Sequence, residues 1–309
     1  MAPPSPEGAI EFMKKLNLKL VLAAFLSLSL LLCLVLSCAS TPKPEGKPVI
    51  LVVSFGTTYN DTRAKTIDAI ENTIAAAYPN YEVRRAWTSQ IIINRLFKRD
   101  GVKIDNVKDA MKRLVKDNVK EVIVQPTHLL NGIEYEKMMG QIKPYEKRFT
   151  NIRFGQPLLV LDRDFQEVAS ILIENTKQFD AEDTAVVFMG HGSEHEADAL
   201  YRKMNSLLKS RGFYRHFVAT VEGELEFEDV VEDLTEELHH LEVRHVVLLP
   251  LMIVAGDHAN NDMAGDDEDS WKSVLQGEGY RVTPVLRGLG EYPEIRQIFI
   301  RHVAEAARR

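Results

Sequence analysis

From Val49 onward, short apolar runs rich in β-branched residues alternate with segments whose apolar positions recur at helical spacing. Val49–Ser54, Tyr81–Trp87, Glu121–Gln125 and Ile152–Leu159 have the character of buried strands. Val186–Met189, Phe217–Glu222, His245–Leu249 and Tyr280–Leu286 repeat that order. Between them the spacing predicts helices over about Asp61–Ala77, Val107–Asp117, Tyr135–Phe149, Glu196–Ser210, Phe227–His240 and Trp271–Gly277. A terminal helix is predicted to start near Pro293, a residue suited to a first helical turn. Strands that do not alternate in polarity, joined through helices, build parallel sheets covered on both faces. The expected fold is therefore α/β, with two similar Rossmann-like lobes at 49–180 and 181–309 and a cleft between them.

The two halves agree in register as well as in order. Gly56 matches Gly192, Pro126 matches Pro250, Gly132 matches Gly256 and Pro157 matches Pro284. In that register Phe55 corresponds to His191, and Glu134 to His258. Each of these positions follows a strand end, where open α/β sheets bind their ligands. His191, His258 and Glu134 are thus predicted to converge from three loops on one cavity. Two imidazoles and a carboxylate suit Co²⁺, Ni²⁺, Fe²⁺ or Zn²⁺. The plainer alternative makes His191 a turn residue and Glu134 a carboxylate complementing a helix dipole.

Composition narrows the chemistry. The 309 residues carry a formal net charge of -7, with no basic block, which argues against a nucleic-acid partner. Residues 1–40 are of a different kind. A basic stretch, Met13–Lys19, precedes the apolar run Leu20–Leu36, in the order of a secretory signal. Val35-Leu36-Ser37-Cys38 resembles a bacterial lipobox, so the expected destination is the periplasm, with membrane contact only through an N-terminal lipid. Cleavage after Ala39 and an uncleaved anchor are the alternatives. Residues 41–48 read as a tether. Both cysteines, Cys33 and Cys38, lie in the signal segment, so any metal beyond it must be held by His, Asp or Glu.

Three stretches carry a family resemblance: Phe188-Met189-Gly190-His191-Gly192, Leu130-Asn131-Gly132-Ile133-Glu134-Tyr135-Glu136 and Ala255-Gly256-Asp257-His258-Ala259-Asn260-Asn261-Asp262-Met263. Together they resemble the marker stretches of the anaerobic sirohydrochlorin cobaltochelatases, the CbiK family. Ser54-Phe55-Gly56-Thr57-Thr58 with Thr62-Arg63 resembles that family's first loop. The resemblance runs from about Pro48 to the C-terminus. It implies a chelatase-like fold and ATP-independent insertion of Co²⁺ into sirohydrochlorin. His191 and His258 would bind the metal, and Glu134 would join in coordination or proton removal.

A polycarboxylate tetrapyrrole calls for hydroxyls and cations at the rim. Ser54, Thr57, Thr58, Arg63 and Ser193 are the candidates, with Phe55 as an apolar surface for the macrocycle. Arg63 also has an ordinary reading as a first-turn helix residue. Glu222 or Glu224 is a further candidate to face the cleft. His195, His239, His240, His245 and the acidic stretch Asp262–Asp269 read more simply as helix-end or solvated residues. His128 has three readings: substrate contact, ligand to haem b, or polar core residue. An assembly of identical subunits, a homo-oligomer, is expected. Export leaves two rival functions: a periplasmic tetrapyrrole, haem or metal carrier on the same fold, or Fe²⁺ insertion for sirohaem, since both metals suit these ligands.

Overall fold

A computed structural model describes residues 46–309, which form one compact unit. The predicted signal segment and residues 41–45 of the tether lie outside the described residues. Two four-stranded sheets, each wholly parallel, make the frame. The first has β1 (Val49–Ser54), β2 (Glu82–Trp87), β3 (Glu121–Pro126) and β4 (Asn151–Phe154), in the order β2-β1-β3-β4. The second has β5 (Thr184–Gly190), β6 (His216–Thr220), β7 (His245–Pro250) and β8 (Arg281–Pro284), in the order β6-β5-β7-β8. Every residue of the central strands β1 and β5 is buried, which is why their sequences are unbroken apolar runs.

The duplication read from the sequence is visible in the pairing. Val53 of β1 lies beside Pro126, and Met189 of β5 lies beside Pro250. That is the correspondence obtained when Gly56 is matched to Gly192 and Pro126 to Pro250. One match fails. Val124 pairs with Phe154 while Leu248 pairs with Pro284, so Pro284 corresponds to Phe154, and Pro157 lies beyond the sheet.

The helices are α1 (Asn60–Lys65), α2 (Ile67–Ala77), α3 (Gln90–Asp100), α4 (Val107–Lys116), α5 (Ile133–Ile142), α6 (Asp162–Thr176), α7 (Ala199–Ser210), α8 (Phe227–His240), α9 (Trp271–Gly277) and α10 (Pro293–Ala307). The helix expected over 61–77 is broken at Thr66, whose hydroxyl donates to the Thr62 carbonyl at 2.6 Å. Helix α3 has no counterpart in the sequence reading. It starts because the Ser89 side chain accepts from the Ile92 N–H, and stops because Gly101 takes a left-handed conformation at φ 70°. Helix α6 was likewise not foreseen. The strand expected over 152–159 ends at Phe154. Among the described residues no helix is long and apolar enough to cross a membrane.

Helix α10 follows the second sheet in sequence but packs on α2, α6, β3 and β4. Ile295, Ile298, Phe299 and Val303 join a core that includes Ile50 and Val52 of β1 and Val186 and Phe188 of β5. One apolar cluster therefore ties the two sheets together. Polar contacts fix the helix in register. His302, 1% exposed, sits between the Gln156 carbonyl at 2.9 Å and Asp164 at 3.0 Å, and the Tyr78 hydroxyl donates to the Ile300 carbonyl at 2.9 Å.

Candidate active site

The C-terminal ends of β1, β3, β5 and β7 open on one cavity of about 440 Å³. Its wall includes Phe55, Thr57 and Tyr59 from the first loop, Ile91, Ile92 and Arg95 from α3, His128 after β3, and His191 and His258 after β5 and β7. This is the crevice position expected of an open parallel sheet.

His191 and His258 are together. Their rings meet edge to face, with centroids 4.7 Å apart and planes at 87°. His191 Nδ1 lies 3.0 Å from the Gly192 carbonyl and 3.3 Å from Glu222 Oε1. Those oxygens accept, so Nδ1 donates its proton and Nε2 keeps its lone pair. His258 Nδ1 lies 2.5 Å from Asp262 Oδ2, across the single π-helical turn Ala259–Met263. The same logic puts the second lone pair on Nε2. Each imidazole is thus oriented by a carboxylate behind it, the arrangement that fixes the tautomer of metal-binding histidines.

Local backbone requirements explain the glycines around His191. Gly192 has φ +79°, and a Cβ there would lie 1.6 Å from the Glu222 carbonyl oxygen. That closeness is the junction between two loops. Val221 N–H donates to the Gly190 carbonyl at 3.1 Å, and Glu222 N–H to the His191 carbonyl at 3.0 Å. The junction is what delivers Glu222 to His191. A Cβ on Gly190 would lie 2.3 Å from the Tyr201 ring. Burial pushes the Tyr201 phenol up to about 12, opposed by backbone hydrogen bonds from Gly192 and His191, so it is a neutral hydroxyl in the cavity wall.

Glu134 stands elsewhere. It is in the first turn of α5, its carboxylate 2.8 Å from Lys137 Nζ, and it is not part of the cavity wall. Among the described residues, no three His, Cys, Asp or Glu side chains close around one point as an ion cage. Of the expected rim residues, Ser54, Phe55, Thr57 and Thr58 line the cavity, while Arg63 and Ser193 do not. Ser54 Oγ accepts from Thr127 at 2.8 Å, and Thr57 Oγ1 accepts from the Tyr59 N–H at 3.2 Å. Arg63 turns toward Asp68, 3.6 Å away. Ser193 Oγ accepts from the His195 N–H at 3.0 Å.

Sequence reasoning missed Asp262 as the partner of His258, although a His and an Asp four residues apart were there to be seen. Arg95 and Tyr59 were missed as well. The Tyr59 hydroxyl donates to Asp257 at 3.2 Å, joining the first loop to the residue beside His258.

His128 lines the cavity with both ring nitrogens buried and without hydrogen-bond partners. Its ring meets Tyr135 edge to face at 6.5 Å. Burial pulls its pKa down to about 4, against a smaller upward pull from Glu134. Burial likewise pulls His216, 8% exposed, down to about 4. Both stay neutral in the folded chain at pH values where unfolded imidazoles take up protons. Stability is therefore complete above about pH 6.5 and falls as the pH drops toward 4, by up to roughly 3 kcal/mol per histidine. Thermal melts between pH 7 and 4.5 check this. The double change His128→Gln, His216→Gln removes part of the slope, and an unchanged slope overturns the assignment.

The fold and this site define a chelatase-type protein, two like parallel sheets around one cavity with imidazoles at the strand ends. Solved structures share the fold. SirB from Bacillus subtilis with Fe³⁺ superposes with a TM-score of 0.59 at 14% identity, covering 85% of this chain and 96% of that one. CbiX, described as the terminal enzyme for siroheme biosynthesis in denitrifying bacteria, gives 0.50 at 14% identity, covering 84% and 99%. Residues 48–308 match the family model for cobalt chelatase (CbiK), and the chain belongs to that family. It is 40% identical over 260 residues to the sirohydrochlorin cobaltochelatase of Salmonella typhimurium, covering 84% of this chain and 96% of that protein. It is 32% identical over 265 residues to the sirohydrochlorin cobaltochelatase CbiKC of Nitratidesulfovibrio vulgaris, covering 85% and 92%.

Proposed function

We propose that this chain is a sirohydrochlorin cobaltochelatase, a lyase that inserts Co²⁺ into the tetrapyrrole. The observation that carries the reading is the pair His191 and His258, edge to face at 4.7 Å in the cavity, each with Nδ1 tied back and Nε2 free to ligate. Cobalt is substrate here, so the site must hold it and then let it go. Two imidazoles suit that task, because they bind a borderline divalent ion without the charge of a carboxylate cage. Insertion also removes two pyrrole protons. Each imidazole that surrenders the ion regains a lone pair, so the pair can accept both protons and pass them to solvent. The apolar wall around Phe55 supplies the face on which a macrocycle lies. Family membership and the two cobaltochelatase relatives support cobalt as the metal.

The test is direct. Purified protein, sirohydrochlorin and Co²⁺, with no nucleotide added, are followed by absorbance and must outpace the uncatalysed reaction. A rate equal to the protein-free control sinks the enzyme and leaves a tetrapyrrole or metal carrier.

Asp262 acts through His258 by holding its Nδ1–H. Asp262→Asn weakens that hold, and the apparent affinity for Co²⁺ falls by about ten- to a hundredfold, as is usual for outer partners of metal ligands. The KM for Co²⁺ measures it, and an unchanged value makes Asp262 a surface residue.

We propose export on the basic and apolar order of residues 13–36 and the lipobox-like Cys38. Fractionation after labelling with a radioactive fatty acid tests it, and an unlabelled soluble product removes the lipid anchor.

A further inference from the structure

The substrate proposed above is a polyanion, edged with acetate and propionate carboxylates, so the cavity should offer it positive charge. Arg63, the cation that the sequence favours, turns toward Asp68 and does not line the cavity. Among the described residues, the one lysine or arginine in the wall is Arg95. It lies on α3, where Ile91, Ile92 and Arg95 share a face because positions three and four apart are neighbours on a helix. Ile93 and Leu96 of the same helix are buried against Trp87 and Ile67, and Ile92 packs at the edge of that cluster. The free face is thus held rigidly toward the cavity. Ile91 on it is 65% exposed and Phe55 47% exposed, so the cavity wall presents uncovered apolar surface from two elements. Among the described residues Arg95 has no carboxylate partner, in contrast to Arg99, which pairs with Asp100 on the next residue. Asp257, the carboxylate in the wall, is occupied by Tyr59 at 3.2 Å and Asn261 at 3.1 Å, leaving Arg95 free to act on the ligand.

We propose that Ile91, Ile92 and Arg95 form the subsite that seats the edge of the tetrapyrrole, with the isoleucines against the ring and the guanidinium clamping a peripheral carboxylate. This rests on the reading of the chain as a sirohydrochlorin chelatase. A guanidinium fork matches a carboxylate in a way an ammonium does not, so the subsite selects for an acidic side arm and for its position.

Arg95→Gln tests it in two assays. In turnover, the KM for sirohydrochlorin rises about tenfold, while kcat and the KM for Co²⁺ stay within about twofold, because the lost contact binds substrate without touching metal. Arg95→Lys recovers part of the loss, and Arg99→Gln, on the same helix but away from the cavity, leaves KM unchanged. In binding, fluorescence titration with metal-free sirohydrochlorin needs no insertion, and Arg95→Gln weakens it by a similar factor. With the fully methyl-esterified tetrapyrrole, wild type and Arg95→Gln bind alike. The subsite is overturned if Arg95→Gln binds the free acid as wild type does, or if it is equally impaired toward the ester. Failure of wild type to insert cobalt, with the Arg95 effect on binding intact, overturns the enzyme reading instead.

Discussion

His191→Ala and His258→Ala each lower kcat/KM for cobalt insertion by more than about a hundredfold, since even the outer partners of a metal ligand are worth ten- to a hundredfold. The fold survives both changes. The side chains are 49% and 40% exposed, so truncation leaves no sealed void and costs stability only about 0.5 kcal/mol. Unaltered circular dichroism and melting temperature, beside a lost absorbance change, is the expected combination. The two rings are in contact, and on the proposed function they address one ion, so their effects do not add: the double variant is scarcely worse than either single one. Fully additive losses would mean two independent roles. Activity near wild type in either single variant would remove that imidazole from the reaction.

Gly192→Ala attacks the same site through the backbone. The added Cβ meets the Glu222 carbonyl oxygen at 1.6 Å and the Thr220 side chain at 2.9 Å, at a φ of +79°. Backbone cannot swing aside as a flexible side-chain end does, so the loop carrying His191 must part from residues 220–222. Stability falls by about 2–4 kcal/mol, or roughly 5–10 °C in melting temperature. Insertion fails with it, because His191 leaves its place beside His258 and Glu222. Gly101→Ala is the matched comparison. Its φ is +70°, but nothing lies within 4 Å of the new Cβ, so only about 1 kcal/mol of conformational strain is expected. Equal effects of the two variants would show that the left-handed backbone, and not the loop junction, matters at Gly192.

Both changes fall on residues that the sequence had already marked, and the reason is physical. Buried parallel strands write themselves as apolar runs, and glycines beside a strand end mark backbone that no side chain tolerates. The pairing of Val53 with Pro126 and of Met189 with Pro250 follows the repeat register. What local pattern does not encode is which way a side chain turns after the strand ends. Glu134 and His258 occupy equivalent places in the repeat, yet Glu134 pairs with Lys137 while His258 faces His191. Arg63 turns to Asp68, and the cavity cation comes from a helix that the periodicity did not reveal. Ile91–Ile93 is a β-branched run, closer to strand than to helix in character, and only the Ser89 cap and Gly101 signal the helix. Glu222 was legible as a residue after a strand. Its approach to His191 depends on a loop junction between hydrogen-bonded strands, β5 and β6, and so on tertiary structure.

The placement of α10 also has a bearing on the order in which the protein can be made. Its fifteen residues are synthesised after all eight described strands, yet they cover β3 and β4, which are made long before. A nascent chain with all eight strands complete still exposes the apolar surface that Ile295, Ile298, Phe299 and Val303 will close. The packing of the first half of the described residues is therefore completed only once α10 has been made. A stop codon just before Pro293 would remove no residue of the cavity wall and still leave the first sheet open to aggregation.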